Sequence, residues 1–131
     1  FPLEEPSFDQ ELWTEKIKEA YGPAAPGVLE LEKKIGKNSD GEVLRRRSVF
    51  QEHIEEIFKV VNELPKAEEI IEILKSMEAP YYPNQINVSE EVFARGIYYA
   101  KDLRNRFGLL QILFDLDLQE EFIQSLIQEI Y

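Results

Sequence analysis

The chain has 131 residues, 44% of them apolar and 31% charged, with no Cys, a single His and a formal net charge of −11. Those values describe one ordinary globular domain long enough to bury a core, and they exclude disulfides and thiolate metal sites, which fits a reducing, cytoplasmic setting. An acidic surface repels nucleic-acid phosphates and anionic membranes, and no apolar run reaches the roughly 20 residues of a membrane span, so neither nucleic acid nor membrane is an expected partner.

Nearly every segment carries the helical period and none carries a strand alternation. Phe1 to Pro6 reads as an extended leader broken by Pro2 and Pro6. The chain opens on Phe1 and its one Met is Met77, so it is expected to begin inside a longer product, and no secretory apolar segment stands at its start. Ser7 with Gln10 has the spacing of a capping box, and Phe8, Leu12, Trp13, Ile17, Ala20 and Tyr21 then fall on one face. Gly22-Pro23 stops that helix. A short helix follows Pro26, with Val28, Leu31 and Ile35 inward and Gly36 as its C-cap; Lys37 to Gly41 is a turn cluster. One long helix is expected from Glu42 to Leu64, with Leu44, Phe50, Ile54, Ile57, Phe58, Val61 and Leu64 as its apolar stripe.

Pro65 suits the first turn of the next helix, whose buried face is Ile70, Ile71, Leu74 and Met77. A loop from Glu78 to Val88 leads to Ser89, an N-cap helped by Glu90 and Glu91. The helix it opens is expected to run to Phe107, with Gly108 as a break. Leu109 to Phe114 is short and very apolar, Asp117 with Glu120 is a second capping box, and a last amphipathic helix closes the chain. The fold class is therefore all-α: a bundle of six or seven helices forming one domain over residues 1–131, without repeats or linkers.

The residues that could carry chemistry are few. His53 stands among Glu52, Glu55 and Glu56, and a His beside carboxylates can ligate a metal or act as a base. Its spacing matches no ligand set, and it reads first as a surface or half-buried helical position. Arg45-Arg46-Arg47 fan out by about 100° each on a helix and read as solvated or ion-paired rather than convergent. Lys101 and Arg104 share a helical face, with Arg106 close by; the three suit a helix C-terminus and are candidates for an interface or an anion contact. Tyr81, Tyr82, Tyr98 and Tyr99 read as core before ligand platform. Asn87-Val88-Ser89 matches a glycosylation acceptor but is read as helix capping, and Asp115 with Asp117 falls short of a calcium loop. No catalytic, cofactor-binding or metal-ligating set is assigned from the residues alone.

Glu78-Ala79-Pro80-Tyr81-Tyr82-Pro83, then Ser89-Glu90-Glu91-Val92-Phe93, then Tyr99-Ala100-Lys101-Asp102-Leu103-Arg104-Asn105-Arg106-Phe107 resembles the C-terminal end of the glycerol-1-phosphate dehydrogenases. These belong to the dehydroquinate synthase and iron-containing alcohol dehydrogenase superfamily. The motif match covers about residues 78–116, a third of the chain. It departs from the family pattern at Glu78, where the family usually has Gly, and at Gly108, where it usually has Thr. The resemblance implies the C-terminal helical domain of a two-domain oxidoreductase of phospholipid metabolism. Such an enzyme moves hydride between dihydroxyacetone phosphate and glycerol 1-phosphate using NAD(P) and a divalent metal, zinc or nickel. By the same resemblance, the nucleotide-binding domain and the metal's Asp and two His lie upstream, and that domain is the implied partner, with a homo-oligomer as a further one. The chain alone would be inactive. The alternatives are a free-standing helical interaction module and a small helical enzyme built around His53.

Overall fold

The computed structural model describes residues 4–131, so Phe1, Pro2 and Leu3 of the expected leader lie outside the described residues. Among the described residues the chain is all-α, with no strand. Eight α-helices follow one another: α1 Gln10–Tyr21, α2 Ala25–Ile35, α3 Asp40–Glu52, α4 Ile54–Asn62, α5 Ala67–Ser76, α6 Glu90–Tyr99, α7 Leu109–Asp115 and α8 Gln119–Ile130. Short 3₁₀ turns cover Gly22–Ala24, Pro83–Ile86 and Ala100–Asp102.

The count exceeds six or seven because the long helix expected from Glu42 to Leu64 is two, broken at His53 (φ −113, ψ 20). The break falls where anchoring ends. Arg46 and Arg47 tie α3 to the C-terminal end of α7, whereas α4 beyond the break has no buried residue.

Several caps differ from expectation for local reasons. Asp9, not Ser7, caps α1, its Oδ1 accepting the Leu12 N–H at 2.9 Å. Pro65 stays outside α5; Lys66 holds the cap position and its N–H donates to Glu69 Oε2 at 2.8 Å. Asp117 adopts a left-handed backbone (φ 56) and gives its carboxylate to Arg47, so it does not cap α8. The helix opened at Ser89 ends at Tyr99, not at Phe107. Ser89 does cap it, accepting the Val92 N–H at 3.3 Å, and Gly36 closes α2 in the left-handed region at φ 61.

Trp13 and Ile17 of α1 pack on Ala25 and Val28 of α2, with Phe8, Tyr21, Leu29 and Tyr99 against them. Helix α6 lies on α1 and α8, and α7 lies on α3 and α8. Val43, Leu113, Leu116 and Ile123 are buried in this second layer. Each fully buried large apolar side chain contributes about 1.5–3 kcal/mol. The expectation that Ile70 and Met77 are buried is not met. Helices α4 and α5 bury no residue at all, and Phe58, Val61, Leu64, Ile70, Ile73 and Met77 are exposed.

Candidate functional site

Where the α2–α3 turn, the Ala100–Asp102 turn and α7 meet, the interior is polar. Asn38, wholly buried, sits in the turn that Gly36 opens. Its backbone N–H donates to Glu32 Oε1 at 2.7 Å and its Nδ2 donates to Asp102 Oδ1 at 2.8 Å. Lys101 Nζ donates to Asn38 Oδ1 at 2.8 Å and to Asp102 Oδ1 at 2.9 Å, and lies 4.0 Å from the centre of the Phe114 ring. The Trp13 indole N–H donates to Asp102 Oδ2 at 3.2 Å, which joins the apolar core to the polar one. Lys37 Nζ donates to the carbonyls of Lys101 and Arg104.

The second half of this hub belongs to α7. Gln111 Nε2 donates to Asp115 Oδ1 at 3.0 Å. Arg46 grips the same carboxylate with Nε at 2.5 Å and Nη2 at 2.9 Å, and also donates to the Lys37 carbonyl. Such a two-pronged guanidinium–carboxylate contact fixes orientation as well as distance. Three cations, Lys37, Arg46 and Lys101, thus face three carboxylates, Glu32, Asp102 and Asp115. Among the described residues, the one buried side-chain polar atom without a partner in the chain is Gln111 Oε1.

Burial dominates the electrostatics. Loss of water holds the Glu32 carboxyl above the ordinary carboxylate value, although the Asn38 N–H and the two lysines pull it down. Loss of water likewise holds Lys101 below the ordinary lysine value against the upward pull of Asp102, and Lys37 is lowered for the same first reason. The hub has no nucleophile placed beside a base: Arg46 and Lys101 pair with Asp115 and Asp102, Lys37 is held by two backbone carbonyls and Glu32 by the Asn38 N–H. Chemically it is a clamp.

The sequence candidates are distributed around this clamp. Lys101 points inward, with a side chain 3% exposed, because the helix expected to present it beside Arg104 has already ended. Arg104 and Arg106 are exposed on the stretch that follows and line an opening of about 370 Å³ with Leu103, Phe107 and Leu109. His53 stands at the α3–α4 break with its side chain exposed, Nδ1 3.5 Å from Glu56 Oε1. No three His, Asp or Glu side chains among the described residues form a metal-ligand group, so no metal-dependent step is assigned to them. Of the arginine triplet, only Arg45 is solvated, paired with Glu42 at 3.0 Å. Arg46 and Arg47 do converge, on Asp115 and Asp117, where cations suit the end of α7. The tyrosines form two separate pairs, Tyr81 with Tyr82 and Tyr98 with Tyr99.

Asn38, Asp102 and Gln111 were not among the candidates. A signal for one of them exists in the sequence: Gln111 is the lone polar residue within the apolar run Leu109 to Phe114. A lone polar residue on an apolar segment needs a buried partner. No family model, curated protein or solved structure matches this chain.

Proposed function

We propose that the chain is the helical domain of a two-domain, NAD(P)- and metal-dependent dehydrogenase of the glycerol-1-phosphate kind, inactive alone. The observation that carries this reading lies at the two positions where the motif departs from the family pattern. Glu78 replaces a family Gly, and its backbone is left-handed at φ 55, a conformation that Gly adopts without strain. Gly108 replaces a family Thr, and its backbone is extended (φ −155, ψ −175) at the head of α7, with nothing within 4 Å of where a Cβ would stand. Thr fits that backbone and serves as a helix N-cap. The backbone thus suits the family's residues at the two sites where the chain lacks them.

On this reading the opening at Arg104 and Arg106, flanked by exposed Leu103, Phe107 and Leu109, faces the nucleotide-binding domain, and the hub behind it keeps that face rigid. The metal and the nicotinamide, held by the other domain, would supply polarisation of the substrate oxygen and the hydride. The test is to express the complete coding frame that contains this chain, load it with zinc or nickel, and follow NAD(P)H oxidation with dihydroxyacetone phosphate. Turnover by the complete product and none by residues 1–131 is the expected result. A frame with no Gly-rich nucleotide-binding unit and no turnover would overturn it. The second reading, a helical interaction module without catalysis, is favoured by one observation only, the exposed apolar surface of α4 and α5.

A further inference from the structure

Between the stretch 6–9, α1, α3 and the end of α6 lies an opening of about 320 Å³ whose lining includes Trp13 and the wholly buried Asn38. Four further aromatic side chains line it: Phe8, Tyr98, Tyr99 and Phe114. The rings meet at angles and do not stack flat. Phe8 is tilted 56° to Trp13 at 5.7 Å and 83° to Phe114 at 6.2 Å, and Tyr98 is tilted 36° to Tyr99 at 5.8 Å. An aromatic ring is electron-rich on its face, so rings set around a cavity attract a cation. Phe114 already does this within the hub, where Lys101 Nζ lies 4.0 Å from its ring centre.

Charge points the same way. The lining carries three carboxylates, Asp9, Asp40 and Asp117, and two cations, Lys16 and Arg47. Arg47 is paired with Asp117 at 2.8 Å and Lys16 with Glu19 at 3.3 Å. Asp9 and Asp40 each accept one backbone N–H at 2.9 Å, from Leu12 and Phe8, and among the described residues neither is paired with a Lys, Arg or His. The opening thus holds two carboxylates that no cation neutralises, on a chain whose net −11 draws cations towards it.

We infer that this opening binds a small organic ammonium ion with a methylated, quaternary head. A primary ammonium needs an acceptor for each of its N–H groups, which ring faces do not supply; a quaternary head has no N–H to satisfy. The volume of about 320 Å³ lies within the usual range of small-ligand sites. The inference does not rest on the dehydrogenase reading, which gives this opening no role.

Trp13 is the one Trp of the chain and lines the opening, so its fluorescence reports occupancy. Choline chloride, measured against sodium chloride at equal concentration, should change that emission saturably. The neutral alcohol with tert-butyl in place of the trimethylammonium head should not. Tyr98→Leu removes a half-buried ring and should weaken choline binding about two- to thirtyfold. Asp9→Asn combined with Asp40→Asn keeps an acceptor for each backbone N–H, and Asn caps a helix as well as Asp does. The fold should therefore stand, as far-ultraviolet helicity would show, while binding weakens severalfold. No saturable response to choline at tens of millimolar, a neutral alcohol that binds as well, or an affinity unchanged in both variants would each overturn the inference. The first two results come from the parent chain and stand whatever the variants do.

Discussion

Asp102 is the residue on which the interior turns. It accepts from Asn38, Lys101 and Trp13, and its side chain is 1% exposed. Asp102→Asn leaves the Lys101 ammonium buried beside a neutral amide, and breaking one side of a buried pair costs about 3–5 kcal/mol. Lys101→Met combined with Asp102→Leu removes both charges but strands the buried Asn38 amide and Trp13 N–H, so it should recover only part of that loss, which urea titration of the two variants would measure. Glu32 predicts a pH effect. Its folded value lies above the ordinary 4.5, so its contribution to stability is present below pH 4.5 and is lost as pH rises through the raised value. Glu32→Gln keeps an acceptor for the Asn38 N–H and removes the titration. Its advantage over the parent should therefore grow from pH 4 to neutrality, read as urea midpoints. Lys101 has the opposite sign: its folded value is lowered, so stability rises between that value and 10.5. Burial thus opposes the ionised forms of both Glu32 and Lys101.

At the scale of elements, turns decide more than helices do. Glu78 carries a left-handed backbone at a cost of about 1–2 kcal/mol, part of which Gly would lose again to unfolded-chain entropy. Glu78→Gly should therefore stabilise the chain by about 0.5–1 kcal/mol. Gly108→Thr should add about 0.5 kcal/mol by restricting the unfolded chain at an extended, open position. Thermal unfolding of the two variants checks both values, and a loss of stability at Glu78→Gly would mean that its side chain has a role the backbone does not reveal. The helices themselves were legible from apolar spacing: α1, α2 and α8 begin and end close to where the pattern places them, and α6 begins there. The break at His53 was not, because apolar spacing continues through it while the tertiary anchoring does not. The end of α6 was not, because Lys101, Arg104 and Phe107 keep a helical period even though Lys101 and Asp102 turn inward in a tighter coil. The hub was the least legible feature. Its members, Glu32, Asn38, Asp102 and Gln111, are spread over four segments, and only folding brings them together.

The whole molecule divides into a clamped body and an unclamped arm. The body gathers α1 to α3 and α6 to α8 around an apolar core and a polar hub; the arm of α4 and α5 hangs from α3 with its apolar side uncovered. The two regions should differ in local stability. Amide hydrogen exchange should be fast through residues 54–76 and slow around Asn38 and Gln111.

The hub also bears on the order of events in folding. Trp13 reaches Asp102 across 89 positions of sequence, and Asn38 reaches Gln111 across 73. Helical chains usually assemble fast because their contacts are local, yet this centre closes only after most of the chain has been gathered. Contacts of that kind tend to form after the rate-limiting step, so a lesion in the hub should chiefly speed unfolding and leave refolding nearly as fast as before. The clamp would then act as a latch, setting how long the native state lasts more than how quickly it is reached. Stopped-flow chevrons of the parent and Asp102→Asn chains would show it as a raised unfolding limb over an almost unmoved refolding limb.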